Sequence, residues 1–419
     1  MKKAILIIAA VGMSLPGIAQ DKYVVSALTA LKANNLEEAK TDIDKAMESP
    51  ETKEKPKALF AKAQIYFSMQ NSEKFKAGSP YREGTQALYK LTEVKPEYEK
   101  ATVDQLLLMA AYLYYNDGAK AYNDKKLSDA TDYMKNVIKI HDMNEGKRFE
   151  KSQFARQFDT VSAESNQTLA NSAYYLGKYE EAIPLLSAVK NNPITKTPSI
   201  YECLIDAYNR QKNTAEAFAT IQEARKAFPD DVTLRNYELN YYITSGKQDE
   251  LVKKLEEAAT KEPNNADIMF NIATTYLGMA NPKEGKKPAN AAELTAKSED
   301  AFQRAIKISP DNAGYNYNFG ALYYNQATDY NDQMNAITGT SDADQKKYDN
   351  LKVRRDELFT KSEPYFEKAY SVLSANEGSL KDEDKKTYKS TLLALKEVYA
   401  RQNKMDKSAD MRKKYESMK

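Results

Sequence analysis

Residues 217–229 read AFATIQEARKAFP, residues 251–263 read LVKKLEEAATKEP and residues 298–310 read SEDAFQRAIKISP. The three stretches share one skeleton of small or apolar residues closed by proline. It runs Ala217, Ile221, Ala224, Pro229, then Leu251, Leu255, Ala258, Pro263, then Ser298, Phe302, Ala305, Pro310. Steps of four and three place the first three members of each set on one face of a helix. Proline has no amide to donate and ends each run. Pro229 and Pro263 stand thirty-four residues apart, and self-similarity at a fixed period marks a stacked array.

Upstream of each run lies a second helical pattern with its own tyrosine: Leu204, Ile205 and Tyr208, then Leu239 and Tyr242, then Ile272, Ala273 and Tyr276. Short turn signals such as Gln211-Lys212-Asn213 and Ser245-Gly246-Lys247 separate the paired runs and fit antiparallel helix hairpins. The pattern predicts nine units, at 23–49, 59–96, 114–141, 166–193, 201–229, 235–263, 269–310, 316–373 and 392–415. Extra residues enter three of them, near 71–81, 282–294 and 325–355. The last insert passes through Thr338-Gly339-Thr340-Ser341. Residues 297–305 (KSEDAFQRA) and 361–369 (KSEPYFEKA) are alike, so the inserts extend hairpins without breaking the stack, and Pro364 is placed early in its helix. The expected organisation is a leader at 1–19, a first group of repeats at 20–141, a charged connecting segment at 142–160 acting as a hinge, and a second group at 161–419.

Leu176-Gly177-Lys178-Tyr179-Glu180-Glu181-Ala182 and the closing Ala224 to Pro229 resemble the tetratricopeptide repeat family. The resemblance covers nearly all of the chain beyond the leader. It implies an all-α fold, a right-handed superhelical array of helix-turn-helix repeats forming an α-solenoid. In this family the first helix of each unit lines a concave groove that receives an extended peptide or a partner helix. The matching register turns Asp206, Asn209, Asn236, Asn240, Phe270, Asn271, Thr274, Tyr317, Asn318, Tyr324 and Asn325 inward. Amides can pair with a peptide backbone while rings cover apolar side chains. The family's carboxylate clamp for chaperone tails does not carry over: Asn240 and Asn271 match it, but Asn236, Gly314 and Asn318 stand where its cations belong.

A lone hairpin cannot bury its apolar face, so neighbours must supply the other wall. Ala39, Ala130, Ala182 and Ala217 occupy one expected crossing point, and Ala27, Ala63, Ala170 and Ala273 another. Tyr66, Tyr208, Tyr242, Tyr276, Tyr323 and Tyr399 recur at one register and read as packing, although thirty tyrosines without a tryptophan invite a reading as a recognition surface.

The first residues have the form of a secretory leader: Lys2 and Lys3, an apolar run from Ala4 to Leu15, and a small-residue exit at Gly17-Ile18-Ala19. Its apolar run is shorter than the roughly 20 residues of a membrane span, and no second run follows. Without residues 1–19 the chain carries equal numbers of basic and acidic residues, interspersed rather than clustered, which argues against nucleic acid as a partner. Gln20 and Asp21 stand where a lipoprotein would carry its cysteine, and Cys203, alone in the chain, cannot form an internal disulfide.

Catalytic constellations are not evident. His141 is the single histidine and has neither a thiol nor a second imidazole to join it. No phosphate-cradling glycine run is present, Asp342-Ala343-Asp344 lacks the rest of a calcium loop, and acidic pairs such as Glu180-Glu181 are ordinary on solvated helices. The sequence therefore predicts a non-catalytic scaffold of the cell envelope, without cofactor or metal, that binds a protein or peptide partner. Its expected location is the periplasm, or outside the cell, or the outer membrane through a partner. The alternative is a carbohydrate-binding helper of an outer-membrane uptake system.

Overall fold

The computed structural model describes residues 16–282, 284 and 286–418. Residues 1–15, which carry most of the expected leader, lie outside the described residues. Among the described residues every regular element is helical, and the helices follow one another in pairs. The first five pairs are α1 (Pro16–Lys32) with α2 (Leu36–Met47), α3 (Pro56–Gln70) with α4 (Tyr81–Val94), α5 (Lys100–Asn123) with α6 (Leu127–His141), α7 (Ala155–Tyr175) with α8 (Tyr179–Lys190), and α9 (Pro198–Arg210) with α10 (Thr214–Ala227). The remaining four are α11 (Val232–Thr244) with α12 (Gln248–Lys261), α13 (Ala266–Ala280) with α14 (Ala291–Ile308), α15 (Ala313–Asn335) with α16 (Asp342–Ser374), and α17 (Asp382–Arg401) with α18 (Met405–Ser417). The nine pairs correspond to the nine expected units. Among the described residues the chain is all-α, a succession of helix-turn-helix repeats of the solenoid type.

Six of the hairpins close in the same way. A residue in the left-handed conformation sits in the turn: Asn34, Lys125, Gly177, Lys212, Gly246 or Asn403. The amide that follows it then donates five residues back, as in Asn35 to the Ala30 carbonyl at 2.9 Å and Lys404 to the Tyr399 carbonyl at 2.8 Å. This is the bond that caps a helix whose last carbonyls would otherwise lack donors. The other three hairpins, α3/α4, α13/α14 and α15/α16, are those expected to hold inserts. Helix starts are also fixed locally. Asn213, Asn265 and Asn312 each accept an amide three residues ahead, and Ser341 with Asp344 forms a reciprocal capping box.

Two compact units divide the chain between Arg235 and Asn236, inside α11. In the first, apolar clusters follow one another from α1 through α9. In the second, Phe359, Phe366, Leu373, Leu392, Leu395 and Val398 bring α16 and α17 together. All eight alanines assigned to crossing points are buried. Tyr66, Tyr242, Tyr276, Tyr323 and Tyr399 are buried as well, and Tyr208 is half-buried.

Four of these tyrosines share one device. Each packs from the first helix of a unit against the second helix of the unit before, and its hydroxyl donates to a carboxylate there. Tyr66 meets Asp44 at 2.7 Å, Tyr276 meets Glu256 at 2.6 Å, Tyr399 meets Glu367 at 2.6 Å, and Tyr323 meets Glu299. A buried phenol needs such a partner, and the acid supplies it without leaving the solvated rim. Burial and the facing carboxylate together push all four phenols well above their ordinary range.

Three expectations change. The segment 142–160 is not a loose connection: Phe149 and Phe158 are buried edge to face at 5.3 Å, and α7 begins at Ala155. Two aromatic side chains outweigh the charged composition around them and anchor the segment in the first unit's core. Pro364 is not early in its helix, because the 325–355 insert is itself largely helical and α16 starts at Asp342. The third concerns candidate groove residues and belongs to the site.

Candidate functional site

The second unit holds a cavity of about 520 Å³ between the first helices of two successive pairs. Asn236 and Asn240 on α11 line one side, and Asp267, Asn271, Thr274 and Thr275 on α13 the other. Spacings of four and three along each helix put these groups on one face. The amino-terminal end of α12 contributes Gln248. Gly278 makes room for it, since a Cβ there would stand 3.1 Å from Gln248 Nε2.

Four amides thus converge with two hydroxyl side chains over an apolar floor of Leu239, Leu251 and Leu255. Ile243 stands at the same cavity with half its surface exposed. Asp267 is the one ionisable group in the lining, and its carboxylate already accepts the Tyr315 hydroxyl. An amide both donates and accepts, so this surface can satisfy a backbone amide and carbonyl without demanding a charge.

Of the eleven residues expected to face a groove, Asn236, Asn240, Asn271 and Thr274 therefore share one cavity. Asp206 lies in the first unit, where it accepts Tyr174 Oη at 2.9 Å and Arg210 Nε at 3.3 Å; Asn209 is exposed beside it. Phe270 is a packing residue, stacked on Tyr315 at 4.8 Å and edge-on to Phe302 at 5.9 Å. Tyr317 and Tyr324 are corrected likewise. Tyr317 lies against Phe366 at 5.8 Å and Tyr324 against Phe359 at 5.4 Å, so α16 packs over both rings. Asn318 bonds back to the Gly314 carbonyl at 2.8 Å, and Asn325 is exposed on the same helix. Sequence reasoning missed Gln248 and Asp267. Asp267 was findable, since it stands four residues before Asn271 on the same helical face.

Neither Cys203 nor His141 acquires a reactive setting. Burial, and then the charges of Glu202 and Asp206, push the half-buried Cys203 thiol up to about 11, so it is a thiol rather than a thiolate at neutral pH. His141 lies between two carboxylates, Asp142 at 2.9 Å from Nδ1 and Asp159 at 3.2 Å from Nε2. It ties the end of α6 to α7.

Antiparallel helix pairs whose successive first helices share a lined hollow define a helical-repeat protein, a class that presents extended binding surfaces. The tetratricopeptide repeat family matches residues 168–232, from α7 to the start of α11. Over that stretch the chain carries tetratricopeptide repeats. No curated protein sequence matches it. Among solved structures it is similar to MamA from Desulfovibrio magneticus RS-1, at 14% identity over 48% of this chain and 97% of that one, with a TM-score of 0.30. YrrB, described as a TPR protein with an unusual peptide-binding site, matches at 17% identity over 54% of this chain and 94% of that one, TM-score 0.32. The P58(IPK) TPR domain matches at 13% identity over 96% and 98%, TM-score 0.28. No helix among the described residues is long and apolar enough to cross a membrane.

Proposed function

We propose that this chain is a non-catalytic scaffold that holds an extended segment of a partner protein in the α11–α13 cavity. The observation that carries the reading is the convergence of Asn236, Asn240, Asn271 and Gln248 over an apolar floor, in a lining whose one charge is Asp267. Such a lining favours a neutral or basic segment whose backbone the amides read and whose apolar side chain meets Ile243. An acidic segment would meet a carboxylate with no cation in the lining to offset it.

The leader-like residues 1–19 motivate the rest of the proposal: the chain works outside the cytoplasm, in the periplasm or attached to the outer membrane through its partner. Recovery from envelope fractions of a chain beginning at Gln20 supports this, and a chain that stays cytoplasmic with residues 1–19 intact removes it.

The groove is tested by placing a photo-crosslinking residue at the exposed Ile243 at the edge of the cavity in the full chain and capturing partners in the native envelope. Replacing Asn240 and Asn271 together by alanine deletes two amides, and each net hydrogen bond contributes about 0.5–1.5 kcal/mol. Capture is expected to fall about tenfold or more. A double variant that retains every partner at unchanged yield removes the cavity from the function.

A further inference from the structure

A second and larger cavity, of about 930 Å³, lies in the first unit between α5 and the segment that leads into α7. It is separate from the amide-lined hollow and chemically unlike it. Lys100, Asp104, Leu108 and Tyr112 follow one another at four-residue steps along α5, so one helical face supplies one wall. The opposite wall comes from the stretch anchored by Phe149, and includes Lys147, Arg148, Lys151 and Phe154.

Arg148 is the unusual member. Its side chain is only 7% exposed, and Nε donates to Asp104 Oδ1 at 2.6 Å. Nη2 has no hydrogen-bond partner, although it is buried. An arginine kept solely to neutralise the half-buried Asp104 would be expected to spend both prongs of its planar fork on acceptors. Leaving a buried donor unmet is costly. The Tyr112 hydroxyl in the same lining is buried without a partner as well.

The charge of the lining points the same way. It holds four cations, Lys100, Lys147, Arg148 and Lys151, against one carboxylate, Asp104. Lys100 and Lys147 are engaged by Glu97 at 3.0 Å and Glu145 at 3.2 Å, which leaves Lys151 and the unspent edge of Arg148 to meet an anion. The remaining surface is apolar: Leu108, Met109 and Phe149 line it, and Phe154 stands 45% exposed at the same cavity. Its volume is in the range of small-molecule sites.

We propose that this cavity binds a carboxylate carried on an apolar body. The carboxylate is held by Arg148, Tyr112 and Lys151, and its body rests on Leu108, Met109 and the two phenylalanines. Reaching Nη2 and the Tyr112 hydroxyl requires a small rotation of these two side chains, which the bound anion drives by completing their hydrogen bonds.

The test titrates the full chain calorimetrically with 4-phenylbutanoate, its neutral amide 4-phenylbutanamide, and inorganic phosphate. The carboxylate is expected to bind at least about tenfold more tightly than either control, since a hydrogen bond to a charged group outweighs one to a neutral group. Arg148→Lys keeps a cation beside Asp104 but loses the fork, and Tyr112→Phe loses only a hydroxyl. Both should weaken the carboxylate severalfold and leave the amide unchanged. Should Arg148→Lys fail to fold, Tyr112→Phe and the exposed Lys151→Met carry the same comparison. A tripeptide ending in phenylalanine, free or amidated, separates the sources. Tighter binding of its free-acid form than of phenylbutanoate assigns the carboxylate to a chain end, and weaker binding assigns it to a small acid. Equal affinity for acid and amide, equal affinity for phosphate, or unchanged affinity in the folded variants overturns the proposal.

Discussion

Two glycine substitutions in neighbouring first helices are predicted to change stability in opposite directions. Gly278→Ala in α13 and Gly320→Ala in α15 each remove a glycine from a helix interior, a change that by itself stabilises by roughly 0.5–1 kcal/mol. What the new methyl group meets decides the sign. At Gly320 it stands 3.0 Å from both Cδ1 and Cε1 of Phe366. That ring is 1% exposed and has Tyr317 at 5.8 Å and Tyr324 at 6.2 Å around it, so it cannot retreat. Overpacking of this kind costs about 1–3 kcal/mol, which exceeds the helical gain. At Gly278 the methyl group meets only the far end of the exposed Gln248 side chain, which can swing away. Gly320→Ala should therefore lower the thermal midpoint of the full chain by a few degrees, and Gly278→Ala should raise it by about a degree. Far-ultraviolet circular dichroism on both variants provides the measurement. If Gly320→Ala melts at or above the parent, Phe366 is not held in place and the packing argument at α15/α16 is refuted.

Three further outcomes are expected. Tyr276→Phe, which deletes the 2.6 Å bond to Glu256, should destabilise by about 0.5–1.5 kcal/mol in urea titration; no loss would mean the hydroxyl is equally well served by water. Burial raises the Glu223 carboxyl, but bonds from Lys190 at 2.7 Å and Tyr201 at 2.9 Å, with the Lys190 charge, outweigh it and hold the group below its ordinary value of 4.5. That contribution is present above 4.5 and lost as pH falls through the lowered folded value, so the parent and Glu223→Gln should converge in acid, and a gap constant with pH would contradict the linkage. With its thiol pushed up to about 11, Cys203 should be alkylated slowly at neutrality, at a rate rising about tenfold per pH unit; fast labelling at neutral pH would show that the site is open and electropositive.

The repeat was legible because it is local. Four-and-three spacing, proline closures and turn residues such as Gly246 are written within a few positions of the helices they shape, and the nine pairs fall where those signals put them. The alanine crossings were legible for the same reason. What the sequence hid is non-local. Nothing near Tyr317 or Tyr324 reveals that Phe366 and Phe359 of α16 pack against them. The charged run at 142–160 carried its anchors, Phe149 and Phe158, as isolated residues without periodicity. The amide cavity was half visible: Asn240 and Asn271 share a register, whereas Gln248 joins them only because Gly278 lets it approach.

The pairing of a first-helix tyrosine with an acid on the preceding second helix makes neighbouring repeats interchangeable at their seams. Glu256 receives Tyr276, and Glu299 receives Tyr323. Excising the forty-seven residues from Asn264 to Pro310 shifts Tyr323 onto the position of Tyr276 and Asn318 onto that of Asn271. The cut ends would then offer each other the same phenol and the same carboxylate. A chain jointed in this way can lengthen or shorten by whole hairpins without inventing a new junction, and selection can adjust its reach independently of its cohesion.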